Sequence, residues 1–167
     1  MTPTQIHNLV KAAVEAVSDD RAGVGDETVK FLFGRASDIW LKNLEAGNVE
    51  NLVGGGVVHM EFQQFTSVPV ENDTVAYPVR LIFSKSHSVG DDLTEDLLPY
   101  QTEMYSLKND VIAKLRVNTE TNLSAANIAL LKKLGVDEQE FQFFVYGNNV
   151  TTGVICDIVV TTKFCRN

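Results

Sequence analysis

Cysteine is nearly missing from this chain: Cys156 and Cys165 are the only two in 167 residues. They stand nine positions apart in what reads as one extended strand. An odd separation there sends side chains to opposite faces, so the two do not readily pair with each other. Two reduced thiols fit a cytosolic product better than a disulfide scaffold does. Cations are also scarce, with 14 Lys and Arg against 22 Asp and Glu and a net charge of −8. They are scattered rather than clustered, which argues against a protein that grips nucleic acid, because phosphate affinity needs grouped Lys and Arg. Long apolar runs are lacking as well. No stretch reaches the ~20 residues of a membrane span. The opening MTPTQIHNLVKAAVEAV has neither the basic head nor the continuous apolar core of a secretion signal.

What is present suits a soluble globular protein, with 44% hydrophobic and 22% charged residues. Residues 1–167 are expected to form one domain, large enough to bury roughly 70% of the surface its unfolded chain exposes. Within it, 1–20 reads as an N-terminal helix. Ile6, Leu9, Val10, Ala13, Val14 and Val17 form a helical stripe, with Thr4 as its N-cap. The charged, glycine-containing stretch SDDRAGVGDE (18–27) reads as a mobile connection, and 28–167 as the sheet-and-helix core.

Phe31 and Phe33 alternate before Gly34, which predicts a short strand and a turn. The three glycines at 54–56 lead into VVHMEFQQF, where Val58, Met60 and Phe62 share one face. A phosphate-binding loop would need a helix to follow, so a loop or bulge entering a strand accounts for them better. In TVAYPVRLIFSK, Val75, Tyr77, Val79, Leu81 and Phe83 share a face, with Ala76, Arg80 and Ser84 on the other. Pro78 has no ladder donor and so predicts an edge strand or a bulge.

A long helix follows, carrying Leu97, Tyr100, Met104, Leu107, Val111 and Leu115 at steps of three or four. A shorter helix is predicted over 124–135, capped by Ser124 and closed by Gly135. The segments 141–146 and 153–164 read as a hairpin about a Gly/Asn-rich turn. The expected class is α+β: a mainly antiparallel sheet with one long helix and shorter helices packed on one face.

The stretch HSVGDDLTEDLLPYQTEM (87–104) raises the question of a site. His87 with Asp91, Asp92, Glu95 and Asp96 could be read as a metal corner, but the other histidines, His7 and His59, lie in unrelated segments. A calcium loop counted from Asp91 reaches Thr102, not a glutamate, at its twelfth position. Asp92 followed by Glu95 instead has the spacing of a capping box, with the acidic residues complementing the helix dipole. Asp92→Ala is therefore expected to cost about 0.5–2 kcal/mol, and calcium, magnesium or zinc to leave the melting temperature unchanged. A metal-dependent rise abolished by Asp91→Ala would overturn this.

Other constellations are weak. His59 and Glu61 read as solvated residues on an outward strand face, and Cys156 as a small buried hydrophobe. Phe31, Phe33 and Trp40 read as core or subunit-contact aromatics rather than a base-stacking platform, since no cations are interleaved. Asn149-Val150-Thr151 reads as a turn. No catalytic, cofactor-binding or metal-ligating residue is assigned.

Several short features together resemble a family. FLFGRASDIWLKNLE, HMEFQQF, YPVRLIFSKSHSVGDDLTEDLLPYQTEMYSLKNDVIAKL and NNVTTGVICDIVVTTKFC follow in order. Asp92, Thr94 and Glu95 precede a helix with Met104 and an Ile112/Leu115 pair, and Asn149, Gly153 and Cys165 mark the last strand. Across roughly 29–165 the chain resembles small virion proteins of tailed bacteriophages, especially crAss-like and other Bacteroidetes phages. These are similar to tail-terminator, tail-completion or neck-ring proteins. The resemblance implies a non-enzymatic structural protein in a homo-oligomeric ring, beside portal or connector and tail proteins. It also implies passage of genomic DNA without specific binding, no membrane, no cofactor, and location in the virion after synthesis in the host cytoplasm. The alternative is a small cytosolic α+β enzyme or ligand-binding domain built on the His87/Asp91/Asp92 corner.

Overall fold

Thr2, not Thr4, starts the first helix. In the computed structural model, which describes residues 2–25, 28–35, 56–63, 68–71, 74–88, 93–121, 131–146 and 149–163, helix α1 runs from Pro3 to Gly23. The Gln5 backbone N–H donates to Thr2 Oγ1 at 3.3 Å, and the Thr2 N–H donates to Gln5 Oε1 at 2.8 Å. This reciprocal capping box satisfies two donors that the helix end leaves free, and Pro3 at the first helical position loses nothing by lacking one.

The six residues of the expected stripe are all buried. The helix outlasts that stripe, so residues 18–23 are helical rather than a mobile connection. Ser18 Oγ accepts from the buried Val29 N–H at 2.9 Å, tying the helix end to the chain that enters the sheet.

Strands β1 (Lys30–Phe33), β2 (Val57–Phe62), β3 (Val68–Glu71) and β4 (Thr74–Ser88) precede helix α2 (Leu93–Thr121). Strands β5 (Leu131–Tyr146) and β6 (Asn149–Lys163) close the chain as a hairpin. The sheet order is β1-β2-β4-β6-β5, with β3 also paired to β4. Among the described residues only β1–β2 is parallel; the other pairings are antiparallel. This is a mixed, mainly antiparallel α+β fold. Among the described residues its helices are α1 and α2, of 21 and 29 residues. None of the helices among the described residues is long and apolar enough to cross a membrane.

Register explains the core. Period-two alternation in neighbouring strands aligns apolar side chains in rows on one face. One row is Phe31, Val58, Phe83 and Val154; the next is Phe33, Met60, Leu81 and Cys156; a third is Phe62, Val79 and Ile158. The α1 stripe and Met104, Leu107, Val111, Ile112 and Leu115 of α2 join this side in one buried cluster, so both helices cover the same face. Leu97, the first residue of the expected α2 stripe, has its side chain outside the described residues.

Two expectations change. Pro78 lies on neither edge, because β4 is central. Its carbonyl accepts from the Gln63 N–H at 3.2 Å, and in a strand the nitrogen of a residue points to the same side as its carbonyl. The missing donor therefore faces Gln63, one residue past the end of β2, so the only ladder bond given up there is the reciprocal one at the last rung of the β2–β4 pairing. Residues 131–135 are strand, not the end of a helix, and the proposed Ser124 cap lies outside the described residues. Their pairing runs from Leu131↔Thr162 to Gly135↔Val159, and this ladder outweighs a weak local helix preference. Pro99 sits in the second turn of α2, counted from Leu93. A helix beginning at Leu93 leaves Asp92 just before it, where a cap belongs, though Asp92 itself lies outside the described residues.

Candidate functional site

The second face of the sheet carries the polar residues that could do chemistry. Glu61, Arg80 and Asp157 form one row across β2, β4 and β6. Alternation along each strand puts them opposite the core side, and the register brings the two last together. Arg80 Nε donates to Asp157 Oδ1 at 2.8 Å and Arg80 Nη2 to Oδ2 at 3.0 Å, a bidentate pair. The bond from Arg80 holds the Asp157 carboxyl below its ordinary range against the opposing effect of burial, and a bond from Gln63 adds to this. The same bond raises the Arg80 guanidinium above its ordinary value.

The pair positions strands rather than reacting, since both partners are charge-balanced and fully engaged. Arg80→Met is expected to cost about 1.5–3 kcal/mol, the range for hydrogen bonds to charged groups, read from urea denaturation at neutral pH. The pH dependence follows from the lowered carboxyl. Its contribution is present above the unfolded value of ~3.9 and fades as pH falls through the lower folded value. Asp157→Asn is expected to show a shallower acid decline in melting temperature than the native chain; an equal decline would overturn this.

His59 corrects an expectation. It is 3% exposed, not solvated, and its Nε2 lies 2.8 Å from the Gly34 carbonyl oxygen, so that nitrogen donates the proton. Val57, Ile155 and Ser84 on the same face are buried too. A histidine held by a backbone carbonyl orients the turn after β1 and is committed to that bond.

At the far end of β1, His7 of α1 meets Phe31 and Phe33 edge-on, with ring centroids 5.4 and 4.7 Å away. Phe33 also meets Phe62 at 5.9 Å. Phe33 is 46% exposed, and with Pro3, Thr4, His7 and Phe62 it lines a cleft of about 270 Å³. These aromatics are partly core and partly surface. Trp40 lies outside the described residues.

A second groove runs between the helices where Arg21 pairs with Asp110 at 2.8 Å and Lys114 with Asp20 at 2.7 Å. On the sheet side of α2, Lys85 donates to Glu103 Oε1 at 2.9 Å and lies 5.8 Å from the Tyr100 ring centroid. Lys108, 3% exposed, stands 5.0 Å from the Tyr105 ring. The Arg21, Lys114 and Lys85 pairs hold α2 to its neighbours, and the Lys108 contact lies within α2; none of these sets a nucleophile beside a base.

For the His87/Asp91/Asp92 corner, the structure gives the backbone of His87, paired with Val150 near the end of β4. The His87 side chain, Asp91 and Asp92 lie outside the described residues. Among the described residues no group of three or more His, Cys, Asp or Glu could hold a metal ion. Cys156 is fully buried as expected, and Cys165 lies outside the described residues. Asn149, expected in a turn, opens β6.

Sequence reasoning did not anticipate the Arg80–Asp157 pair or the buried state of His59. Opposite charges at outward strand positions were a visible signal for the first. The strand register that aligns them was not. No protein-family model matches the chain, and no curated protein matches its sequence.

Proposed function

We propose that this chain is a structural, non-enzymatic subunit of a ring in the neck or tail of a tailed bacteriophage. The ring surrounds the DNA channel and joins portal or connector to tail components. The observation that carries this reading is where the residues of the family resemblance fall. Met104, Ile112 and Leu115 are buried in the core. A side-chain carbon at Gly153 would stand 3.0 Å from the Phe83 carbonyl oxygen, a tight contact that favours the smallest residue there. Asn149 opens β6. A resemblance whose described residues are packing and strand-entry positions supports a role in architecture.

The charge of −8 suits the same role. DNA moves through such a channel during packaging and ejection. Lys and Arg contacts release counterions and hold phosphates, whereas like charge keeps the duplex mobile.

Mass spectrometry of purified particles of the phage that encodes this chain is expected to find it in stoichiometric copies, and a cryo-EM map to place it on the central axis. Its absence from particles, or an off-axis position as a fibre or capsid decoration, would overturn the proposal. Purified protein is expected not to shift duplex DNA in a gel at physiological salt. Tight binding would overturn the electrostatic part alone.

A further inference from the structure

We infer that copies of this chain join edge to edge, the β1 edge of one copy receiving the β5 edge of the next. The inference rests on the ring reading for its closure and supplies the surface by which the ring forms. Among the described residues the sheet ends in two unlike strands, β1 and β5, each paired on one side only. An unpaired edge is a row of backbone donors and acceptors that another strand can complete.

On β1 the phase of that row is fixed. The Lys30 N–H donates to Gly56 O at 3.0 Å and the Gly34 N–H to Met60 O at 3.1 Å. Backbone groups alternate in direction along a strand, so those of Phe31 and Phe33 point away from β2.

Strand directions make the two edges compatible. β1 runs with β2, β4 against it, β6 with it again, and β5 therefore against β1. A rotation about an axis along the strands preserves these directions, so the β5 edge of one copy meets the β1 edge of the next antiparallel. Two different edges make a head-to-tail contact, which repeats and closes into a ring where the rotation allows.

The sequences of the two edges are opposite in charge. Exposed Lys30 opens β1 and exposed Arg35 follows it, and the β5 sequence contains Asp137, Glu138 and Glu140. The half-exposed Phe33 and its aromatic cleft adjoin the β1 edge. Since β1 has only four residues, the contact between isolated copies is weak and depends on salt.

Analytical ultracentrifugation of the full chain at low salt, up to the millimolar range, tests this. The native chain is expected to self-associate. Lys30→Glu with Arg35→Glu, and separately Asp137→Lys with Glu138→Lys and Glu140→Lys, are each expected to weaken association by about tenfold or more. An equimolar mixture of the two variants is expected to restore it, because each reversed edge then meets its complement. Phe33→Pro, which removes an outward donor without changing charge, is expected to abolish association, with circular dichroism melts confirming that all variants fold.

A native chain that stays monomeric throughout overturns the inference, as do charge variants that associate like the native chain. It is equally overturned by a dimer lost only on changing β5, which would signal two-fold β5 pairing. Edge-dependent association of a chain absent from particles would leave the inference standing and remove the ring reading. An axial ring whose copies meet by other surfaces would do the reverse.

Discussion

Truncating Leu107 to alanine is expected to cost about 2–5 kcal/mol, which for a chain of this size lowers the melting temperature by about 4–20 °C. Leu107 is fully buried in the cluster that contains Val79, Leu81 and Phe83 of β4 together with Val58 and Met60 of β2. The large end of the range applies where the space left cannot collapse, and one wall here is rigid. Leu107 Cδ2 would be 3.1 Å from a side-chain carbon placed on Gly56, so it rests almost on the backbone of that residue. The Gly56 carbonyl is held in turn by the Lys30 N–H at 3.0 Å. Backbone pinned by a ladder bond does not slump into a cavity. Ser106→Ala, one position along the same helix and exposed, is expected to change stability by no more than about 0.5 kcal/mol. Chemical denaturation of both variants checks this. A near-zero change at Leu107 would mean that α2 packs elsewhere.

That packing was legible before any coordinates, because two periodicities declared it. Met104, Leu107, Val111 and Leu115 repeat at helical steps, and Val79, Leu81 and Phe83 at strand steps, and each set has polar residues on its other side. Where the reading went astray, the deciding interaction was remote in sequence. Pro78 signals a missing donor, but whether a donor is needed there depends on which strands flank β4 and where they stop. Residues 131–135 carry leucines spaced for a helix, yet β6 offers them a continuous ladder. Residues 18–23 look like a charged linker, but Asp20 and Arg21 find Lys114 and Asp110 on α2.

The candidate site shows the same division. His59 looked solvated because alternation puts it opposite the core, and a single strand says nothing of what covers its second face. Arg80 and Asp157 are 77 positions apart, so their pairing depends on a register that local pattern does not encode. The absence of a zinc or calcium pattern around 87–104, in contrast, is a matter of spacing and could be read directly.

Gly56→Ala is expected to destabilise the chain by about 2–6 kcal/mol, the sum of two costs of about 1–3 kcal/mol each. The first is conformational. Gly56 has φ +106°, a backbone region open to glycine and costing other residues about 1–3 kcal/mol. The second is steric. The added carbon would lie 3.1 Å from Leu107 Cδ2, 3.2 Å from Met104 Cε and 3.4 Å from the Ser84 carbonyl oxygen, and overfilling a packed core costs about 1–3 kcal/mol. The last of the three glycines at 54–56 thus lets the chain turn into β2 directly beneath α2, which is a packing reason for its presence and not a phosphate-binding one.

The two costs separate in a double-mutant cycle. Leu107→Ala clears the space beside Gly56, so the combined variant is expected to be more stable than the sum of the single losses predicts, by about 0.5–3 kcal/mol. The conformational part persists in the combination because truncating a neighbour does not change φ. Urea denaturation of the four proteins measures the coupling. Strict additivity would mean that Leu107 and residue 56 do not touch, and would remove the close approach of helix and strand on which the core seam depends.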